Sequence, residues 1–175
     1  MKKYDVVVIG GGPAGVTCVI SARNTYPDKT IALVRKERIA MIPCGIPYIM
    51  RSLQTVDQNI LPDELVKKSD TDLIVDEVTG RDGKILKLKS GKEIAYEKLV
   101  LAVGSSPILP PVQGIEKEGV FVVRKDRDYL ASMKERAAKS EKILFRSEGD
   151  HRSQSGRCSG GFFDQGSVSV ERREH

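Results

Sequence analysis

Apolar and polar positions at the start of the chain follow the order strand, helix, strand. Val6–Ile9 is a continuous apolar run rich in β-branched residues, which is typical of a strand buried on both faces of a parallel sheet. Small and apolar residues recur from Pro13 to about Arg23 at a spacing that predicts a packed helix, and Pro27 ends that pattern. Thr30–Val34 predicts the second strand. The chain is therefore predicted to begin an α/β fold with a parallel sheet.

The middle of the chain changes to shorter segments with a different alternation. A short helix is predicted near Pro62, and a strand is predicted over Leu73–Val78. The stretch KILKLKSGKEIAY alternates apolar and charged residues about a turn, which is the pattern of an antiparallel strand pair with one solvated face. EKLVLAVGSSP predicts another buried strand, which ends in Gly104 and Pro107. We therefore expect a parallel nucleotide-binding unit interrupted by a β-rich excursion, after which the chain returns to the sheet.

The last part of the chain divides into a helix–strand pattern and a segment of different composition. DRDYLASMKERAAKSEKIL predicts a helix that runs into the start of a strand. Residues 146–175 contain no lysine, isoleucine or leucine and are rich in Ser, Gly and Arg, a composition that predicts disorder, although the ending VSVERREH again resembles a strand. Our hypothesis is that the reading frame is disturbed near Phe145. His151, Cys158 and His175 lie in this segment, and because their spacing fits no metal site we assign them no role.

Size, charge and cysteine content narrow the class of protein. The 175 residues suffice for one domain with a core and a small part of another, and no run of apolar residues is long enough for a transmembrane helix. The three cysteines fit neither a zinc ribbon nor a disulfide framework, so a reducing cytoplasm is expected. The net charge of +5 is spread along the chain without interleaved aromatics, which disfavours nucleic-acid binding and suits an anionic nucleotide cofactor.

Three glycines join the first predicted strand to the first predicted helix. Gly10, Gly12 and Gly15 have the spacing G-x-G-x-x-G. In such a loop the first glycine permits the tight turn, the second lets the backbone approach a pyrophosphate, and the third lets helix and strand pack closely. The free N–H groups of the helix N-terminus favour the phosphates. Because the motif lies between a strand and a helix, and a second strand follows, we predict dinucleotide binding.

The end of the second predicted strand departs from the usual dinucleotide-binding pattern. An acidic residue that binds the ribose is expected about 20 residues past the loop. Here the strand is followed by Arg35, and Glu37 comes two residues later. Either Glu37 reaches the ribose, or Arg35 is used differently and accommodates a phosphate, as in NADP binding. Both are candidate cofactor-binding residues.

The stretch MIPCGIPYIM places Cys44 between two prolines with a glycine directly after it, and residues 45–50 contain no second cysteine. Gly45 lets the backbone and a ligand come close, and Pro47 suits the first turn of a helix. Cys44 is either a reactive thiol, which requires nearby positive potential, or a structural thiol buried next to a cofactor. Three basic residues close by in sequence either supply that potential or phosphate contacts, or form a solvated surface run: Arg35, Lys36 and Arg38.

Three motifs together resemble a known family. DVVVIGGGPAG near the start, PCGIPY at 43–48 and KLVLAVGSSP at 98–107 occur in the order and at the distances seen in FAD-dependent pyridine nucleotide-disulfide oxidoreductases. Within them the chain is most similar to the single-cysteine branch of coenzyme A-disulfide reductases, NADH oxidases and NADH peroxidases. The resemblance implies a three-layer, Rossmann-like FAD-binding domain around a parallel sheet. It implies FAD contacts at Gly10, Gly12, Pro13, Ala14, Gly15, Ala102, Val103 and Gly104.

The resemblance also implies the chemistry. Cys44 is then the redox cysteine beside the flavin ring, and it cycles through a mixed disulfide or a sulfenic acid. Electrons pass from NAD(P)H through FAD and Cys44 to a disulfide, a peroxide or oxygen, and intact members form homodimers. One departure concerns Val103, which stands where the family usually has a threonine, so any contact of that hydroxyl is missing.

The expected domains are an FAD-binding domain over 1–124, a helix and strand opening an NAD-binding domain over 125–145, and an aberrant tail over 146–175. We expect the chain to stop before a complete NAD domain. Two functions follow: an FAD-dependent oxidoreductase represented by its N-terminal part, or a non-catalytic, truncated nucleotide-binding module. A third hypothesis, an NADP-binding enzyme of another class, is supported only by Arg35. A fourth, a structural interaction protein, is supported only by the unusual composition of the tail.

Overall fold

The structure is a computed structural model that describes residues 1–109, 111–140, 142–146 and 167–169. Its strands and helices are, in chain order, β1 Lys2–Ile9, α1 Pro13–Thr25, β2 Ile31–Arg35, α2 Ile46–Arg51, α3 Glu64–Lys68, β3 Asp72–Val75, β4 Val78–Asp82, β5 Ile85–Leu88, β6 Glu93–Leu101, β7 Val120–Phe121, α4 Arg127–Ala138, β8 Leu144–Arg146 and β9 Ser167–Ser169. Short 3-10 turns lie at Pro43–Gly45 and Val56–Asn59. No helix in the described ranges is long and apolar enough to cross a membrane.

The chain divides into two compact units. The first contains Met1–Pro43 and Ile60–Gly104, and the second contains Cys44–Asn59 and the described residues from Ser105 onward. The predicted division into an FAD-binding domain that ends at residue 124 and a following NAD-binding part stays a prediction.

The first unit is built on one sheet of six strands in the order β3-β2-β1-β6-β5-β4. The strands β3, β2, β1 and β6 are parallel, whereas β4 and β5 are antiparallel to their neighbours. The predicted α/β class with a parallel sheet is confirmed. The β-rich excursion is also present, but it is continuous with the sheet: β6 pairs with β5 at its start and with β1 along its length.

Alternate residues of β1 enter two different hydrophobic clusters because successive strand side chains point to opposite faces. Val8 packs with α1, α3 and the odd-numbered apolar positions of β2, a cluster of Val8, Val16, Val19, Ile31, Leu33 and Val66. Val7 lies on the other face with side chains from β5 and β6, a cluster of Tyr4, Val7, Ala32, Val34, Leu86, Leu88, Ile94 and Tyr96. This burial on both faces explains why the sequences of β1 and β2 are continuously apolar.

The predicted strand Leu73–Val78 is shorter than expected. The structure ends β3 at Val75 and starts β4 at Val78. The side chain of Asp76 accepts a hydrogen bond from the backbone N–H of Glu77 at 2.8 Å, a local bond that competes with strand pairing. The chain therefore turns between two short strands instead of continuing one long strand.

The second unit contains α2, α4, the turn Val56–Asn59 and a sheet of three strands in the order β7-β9-β8. Buried residues of α4 share a helical stripe, namely Leu130, Met133 and Ala137. Arg127 in the first turn of α4 donates to both carboxylate oxygens of Asp57 at 2.8 Å. The predicted helix and following strand thus correspond to α4 and β8.

Most of the segment predicted to be an aberrant tail lies outside the described residues. Residues 147–166 and 170–175 are the part that lies outside, and this part includes His151, Cys158 and His175. Within that segment, β9 overlaps the start of the ending VSVERREH, and it pairs antiparallel with both β7 and β8.

Two carboxylates on the sheet are expected to make its stability depend on acid pH. Hydrogen bonds from the backbone and hydroxyl of Thr30, and from Lys29, hold the pKa of Asp5 at about 2. Hydrogen bonds from Lys3 and Lys84 hold the pKa of Glu97 at about 2. Both folded-state pKa values lie below those of the unfolded chain, which are about 4. The stabilising effect is therefore complete above about pH 4 and is lost as pH falls towards about 2.

Thermal unfolding recorded from pH 6 down to pH 2 tests this expectation. The melting temperature of the unchanged chain should fall in the acid range, and Asp5→Asn should make that fall smaller because one titrating group is gone. Asp82→Asn, a change at an exposed carboxylate on β4, is the control and should leave the acid profile as it was. An unchanged profile in Asp5→Asn would contradict the expectation.

Candidate functional site

The glycine loop lies where three parallel strands end. Gly10 follows β1, and its N–H donates to the carbonyl of Val34 in β2 at 2.8 Å. The N–H of Ala102, which follows β6, donates to the carbonyl of Ile9 at 2.8 Å. The structure therefore brings the predicted residues Gly10 and Ala102 together at the carboxyl edge of the sheet. In open α/β sheets this edge is where ligands bind.

Two of the glycines are needed for close backbone packing. Gly10 has φ of +117°, a conformation that favours glycine, and a Cβ atom there would overlap the carbonyl oxygen of Ala102. A Cβ atom on Gly15 would overlap the carbonyl oxygen of Gly10, so Gly15 lets α1 pack directly on the end of β1. Both positions have the geometry that the G-x-G-x-x-G spacing predicts.

Gly12 is different, because a Cβ atom there would meet nothing within 4 Å. It is the N-cap residue of α1 with φ −77° and ψ −178°, a conformation that any residue adopts. Pro13 and Ala14 follow in the exposed first turn, which contains no acidic residue. The start of α1 therefore offers open space beside free N–H groups and the positive end of the helix dipole. These features fit a diphosphate.

Arg35 ends β2 directly beneath the loop. Its side chain is 2% exposed and makes a bidentate ion pair with Asp63, with N–O distances of 2.7 and 2.9 Å. It also donates to the carbonyl of Arg38 at 2.9 Å. A Cβ atom on Gly11 would overlap Arg35 Cδ, so the arginine stem packs against the loop backbone. Asp63 thus supplies the countercharge of this guanidinium, and the role of Arg35 as a phosphate ligand stays a prediction.

The remaining predicted cofactor residues are accessible. Glu37 has 36% of its side chain exposed and lies 3.8 Å from Lys36. Val103, at the position where the family usually has threonine, is 67% exposed. Gly104 follows with φ of +68°, which turns the chain away from the strand direction. The structure thus places Val103 and Gly104 just beyond the Ala102 contact with the end of β1.

Cys44 lies in the second unit on the turn Pro43–Gly45, where it is a free, exposed cysteine. Whether Cys44 is a reactive thiol or a structural thiol buried next to a cofactor stays a prediction. A Cβ atom on Gly45 would overlap the side-chain oxygen of Asn59, a polar residue that is 3% exposed. Gly45 is therefore required for the close approach of Asn59 to the cysteine turn.

The helix that follows the cysteine is held at its other end by a lysine. Pro47 lies in the first turn of α2, as predicted, and the Nζ of Lys134 in α4 donates to the carbonyl of Ile49 at 2.9 Å. Lys134 also donates to the carbonyl of Leu53 just past the helix. A cation is favourable at this end of a helix because its carbonyls carry partial negative charge. Cys44 thus lies on a segment that is fixed on both sides.

Sequence reasoning did not identify Asn59, Asp63 or Lys134. Only Lys134 left a signal, because it is a charged residue on the apolar stripe formed by Leu130, Met133 and Ala137. A lysine in that stripe indicates a buried partner for its ammonium group. Cys18, by contrast, is a half-buried residue that packs against the cluster around Val8 as a small hydrophobic side chain does.

Comparisons with known proteins extend these observations. A family model described as pyridine nucleotide-disulphide oxidoreductase matches residues 4–143. An NADH oxidase from Methanocaldococcus jannaschii is 33% identical over 139 residues, which is 73% of this chain and 31% of the relative. An NAD(P)H coenzyme A polysulfide/persulfide reductase from Pyrococcus horikoshii is 36% identical over 138 residues, which is 75% of this chain and 31% of the relative. The solved NAD-dependent persulfide reductase from A. fulgidus matches with a TM-score of 0.60 and 29% identity, over 75% of this chain and 27% of that structure.

The chain belongs to the pyridine nucleotide-disulphide oxidoreductase family, as its three motifs predicted. FAD and NAD(P)H are the cofactors of this family. The chain spans about a third of the length of the curated relatives it matches, 31% in both cases above. The open space at Gly12 and the uncharged first turn of α1 fit the diphosphate of FAD.

Proposed function

We propose that this chain provides the FAD-binding loop and the single redox cysteine of a flavin-dependent NAD(P)H oxidoreductase. Electrons from NAD(P)H pass through FAD and Cys44 to a small acceptor, which is a disulfide, a peroxide or oxygen. Support comes from the family and from the relatives that are named NADH oxidase and polysulfide/persulfide reductase. Among these acceptors a disulfide or a related sulfur compound is the best match to a lone exposed thiol.

Two sets of residues have separate roles in this proposal. Gly12, Pro13 and Ala14 surround the open start of α1 and hold the FAD diphosphate, while Gly10 and Gly15 keep the loop closely packed. Val103 and Gly104, beyond the end of β6, contact the flavin nucleotide. FAD supplies the hydride and electron transfer chemistry that no side chain provides.

Cys44 carries out the chemistry on the acceptor. Its thiolate attacks one sulfur of a disulfide, the S–S bond breaks, and the second sulfur leaves as a thiolate. Cys44 is then held in a mixed disulfide. Bound FAD would supply two electrons that, with a proton for the departing thiol, return Cys44 to a thiolate and release the second half of the acceptor. The observation that carries this role is the exposed position of Cys44 on the turn Pro43–Gly45.

A second function rests on the glycine loop alone. The chain can act as a nucleotide-binding module that holds FAD without catalysis, because the loop geometry at Gly10, Gly12 and Gly15 does not depend on a reactive thiol. This alternative requires the glycine loop but gives Cys44 no reduction through FAD: an exposed thiol still forms a mixed disulfide, and reduced FAD would not release it.

One experiment on the purified chain separates the two functions. The chain is incubated with FAD, excess FAD is removed, and the visible spectrum is recorded; it is then treated with coenzyme A disulfide and analysed by mass spectrometry. We expect flavin bands and a coenzyme A adduct on Cys44 that is released when the bound FAD is photoreduced. Cys44→Ser should keep the flavin bands and lose the adduct, whereas the control Cys18→Ser should keep both.

Each other outcome contradicts a defined part of the proposal. Flavin bands with an adduct on Cys44 that photoreduction of FAD does not release would favour the non-catalytic module. A folded chain without flavin bands would contradict FAD binding itself. An adduct that persists in Cys44→Ser would place the reactive thiol elsewhere.

A further inference from the structure

The end of β2 has a basic residue at the place where dinucleotide-binding folds have the acid that binds the ribose. Arg35 directly follows Val34, whose carbonyl accepts the N–H of Gly10, so this position adjoins the glycine loop. The side-chain stem of Arg35 also packs against Gly11. A guanidinium group only donates hydrogen bonds and therefore cannot replace the carboxylate as an acceptor for hydroxyl groups.

The structure nevertheless brings a carboxylate to this place from another element. Asp63 precedes α3, and both of its carboxylate oxygens accept from the guanidinium of Arg35, at 2.7 and 2.9 Å. Since the Arg35 stem lies against Gly11, the carboxylate of Asp63 is one guanidinium group away from the loop. The acid expected at the strand end is thus present, 28 residues later in the sequence.

Asp63 has acceptor capacity beyond the ion pair. It is the N-cap residue of α3, yet its side chain makes no cap hydrogen bond. Its side chain is 33% exposed, whereas that of Arg35 is 2% exposed. Each carboxylate oxygen has a further lone pair once it has accepted one bond from Arg35. The exposed edge of Asp63 can therefore accept hydrogen bonds from a ligand.

One nitrogen of the Arg35–Asp63 ion pair is a donor without an acceptor among the described residues. Arg35 Nε is buried, and within the part of the chain that the structure describes it has no hydrogen-bond partner. Buried donors are nearly always paired in folded proteins, and an exception can mark a functional position where a bound group supplies the partner. A buried ion pair is itself weak evidence for a role in stability alone, because apolar residues of similar volume often serve equally well.

We propose that Asp63 is the acid that accepts hydrogen bonds from the ribose hydroxyls of the adenosine half of FAD, and that Arg35 is the residue that positions it. The inference rests on the proposed FAD binding and adds the residue that selects a ribonucleotide. It also assigns Arg35 to the cofactor site through Asp63, without a phosphate contact. Glu37, the other acid near the strand end, is then not the ribose ligand.

The test compares nucleotides that differ in one hydroxyl. The chain is loaded with FAD, and its displacement by ADP, 2′-deoxy-ADP and 3′-deoxy-ADP is followed through the rise in free flavin fluorescence. Hydrogen bonds to a charged group are lost with each missing hydroxyl, so at least one deoxy nucleotide should compete about 10-fold to 100-fold less well than ADP. This first comparison requires no substitution in the protein.

Variants then identify the acceptor. Asp63→Leu should reduce the discrimination to less than about threefold, and the double variant R35M/D63L should do the same while avoiding an unpaired buried arginine. Glu64→Gln, an exposed change in the adjacent residue, is the matched control and should keep the full discrimination. Circular dichroism of each variant establishes that it is folded.

The other outcomes overturn the inference in distinguishable ways. Equal competition by ADP and both deoxy nucleotides in the unchanged chain would show that no acid binds the ribose. Full discrimination in folded R35M/D63L would exclude Asp63, and loss of discrimination in Glu37→Gln alone would identify Glu37 as the acid. If the unchanged chain binds FAD and only the discrimination fails, the proposed function stands; if it binds neither FAD nor ADP, both fall.

Discussion

Gly12→Ala is expected to remove FAD binding and to leave the chain folded. A methyl group at this position meets no protein atom within 4 Å, and its backbone angles suit alanine. Alanine is a poorer N-cap than glycine, so the free energy of unfolding should fall by less than about 1 kcal/mol. The methyl group would instead occupy the space through which a diphosphate approaches the backbone. We therefore expect FAD affinity to fall about 10-fold to 100-fold, because a backbone hydrogen bond to the charged diphosphate is worth about 1.5–3 kcal/mol.

Gly15→Ala, unlike Gly12→Ala, is expected to destabilise the fold itself. Alanine favours a helix by about 1 kcal/mol, but here its Cβ atom would overlap the carbonyl oxygen of Gly10. Backbone cannot move aside as a side chain can, so α1 must shift from β1. Such overpacking costs about 1–3 kcal/mol or more, and with backbone as the obstacle we expect a value at the upper end. The melting temperature of Gly15→Ala should fall by several degrees even without FAD.

Both variants are measured by thermal unfolding without ligand and by retention of flavin absorbance after removal of free FAD. Gly80→Ala is the control because its Cβ atom would also meet nothing within 4 Å, and it lies on β4. It should change neither property appreciably. Retained FAD in Gly12→Ala would mean that the open space is not the diphosphate site, and an unchanged melting temperature in Gly15→Ala would contradict the close helix–strand contact.

These contrasts show which parts of the site could be predicted from sequence. The G-x-G-x-x-G spacing predicted both roles of its glycines, since local geometry decides them: Gly10 and Gly15 adjoin backbone, and Gly12 faces open space. The continuous apolar runs of β1 and β2 likewise predicted a sheet buried on both faces, because the pattern within each strand is enough to indicate that burial. Cys44 could be proposed from the sequence because its prolines and glycine adjoin it in the chain.

The supporting residues could not be predicted in this way. Asp63 reaches Arg35 across 28 positions, and Lys134 reaches Ile49 across 85 positions. Nothing in the sequence near either member of these pairs specifies the other, because the fold alone determines which distant residues meet. The departure at Arg35 was visible as an unexpected basic residue, but its partner became identifiable only through the geometry of the ion pair. Isolated polar residues at apolar positions, such as Lys134, are the useful exception.

The contact of Gly45 with Asn59 gives the second large expected effect, which concerns the reactivity of Cys44. In Gly45→Ala the new Cβ atom would overlap the side-chain oxygen of Asn59. Asn59 is 3% exposed and belongs to the turn Val56–Asn59, whose Asp57 is tied to α4 by Arg127. It cannot leave without disturbing that turn, so the strain must displace the segment that carries Cys44.

We expect Gly45→Ala to lower the free energy of unfolding by about 1–3 kcal/mol. A displacement of about 1 Å in a reacting group can reduce a rate about 100-fold, so formation of the coenzyme A adduct on Cys44 should slow by at least about 10-fold. Thermal unfolding and timed mass spectrometry of the adduct measure the two effects. Gly80→Ala is again the control, since it adds the same methyl group where there is space.

A second substitution separates this steric cause from a general loss of stability. Asn59→Ser shortens the obstructing side chain, and Gly45→Ala combined with Asn59→Ser should be less destabilised than the sum of the two single changes. Residues in direct contact are expected to be non-additive in this way, whereas independent residues add. The adduct rate of the double variant should also recover part of the loss, because the cysteine turn regains its position. Strictly additive effects on stability, with no recovery of the rate, would mean that Asn59 does not position the turn, and the low reactivity of Gly45→Ala would then have to arise within the backbone of Pro43–Gly45 itself.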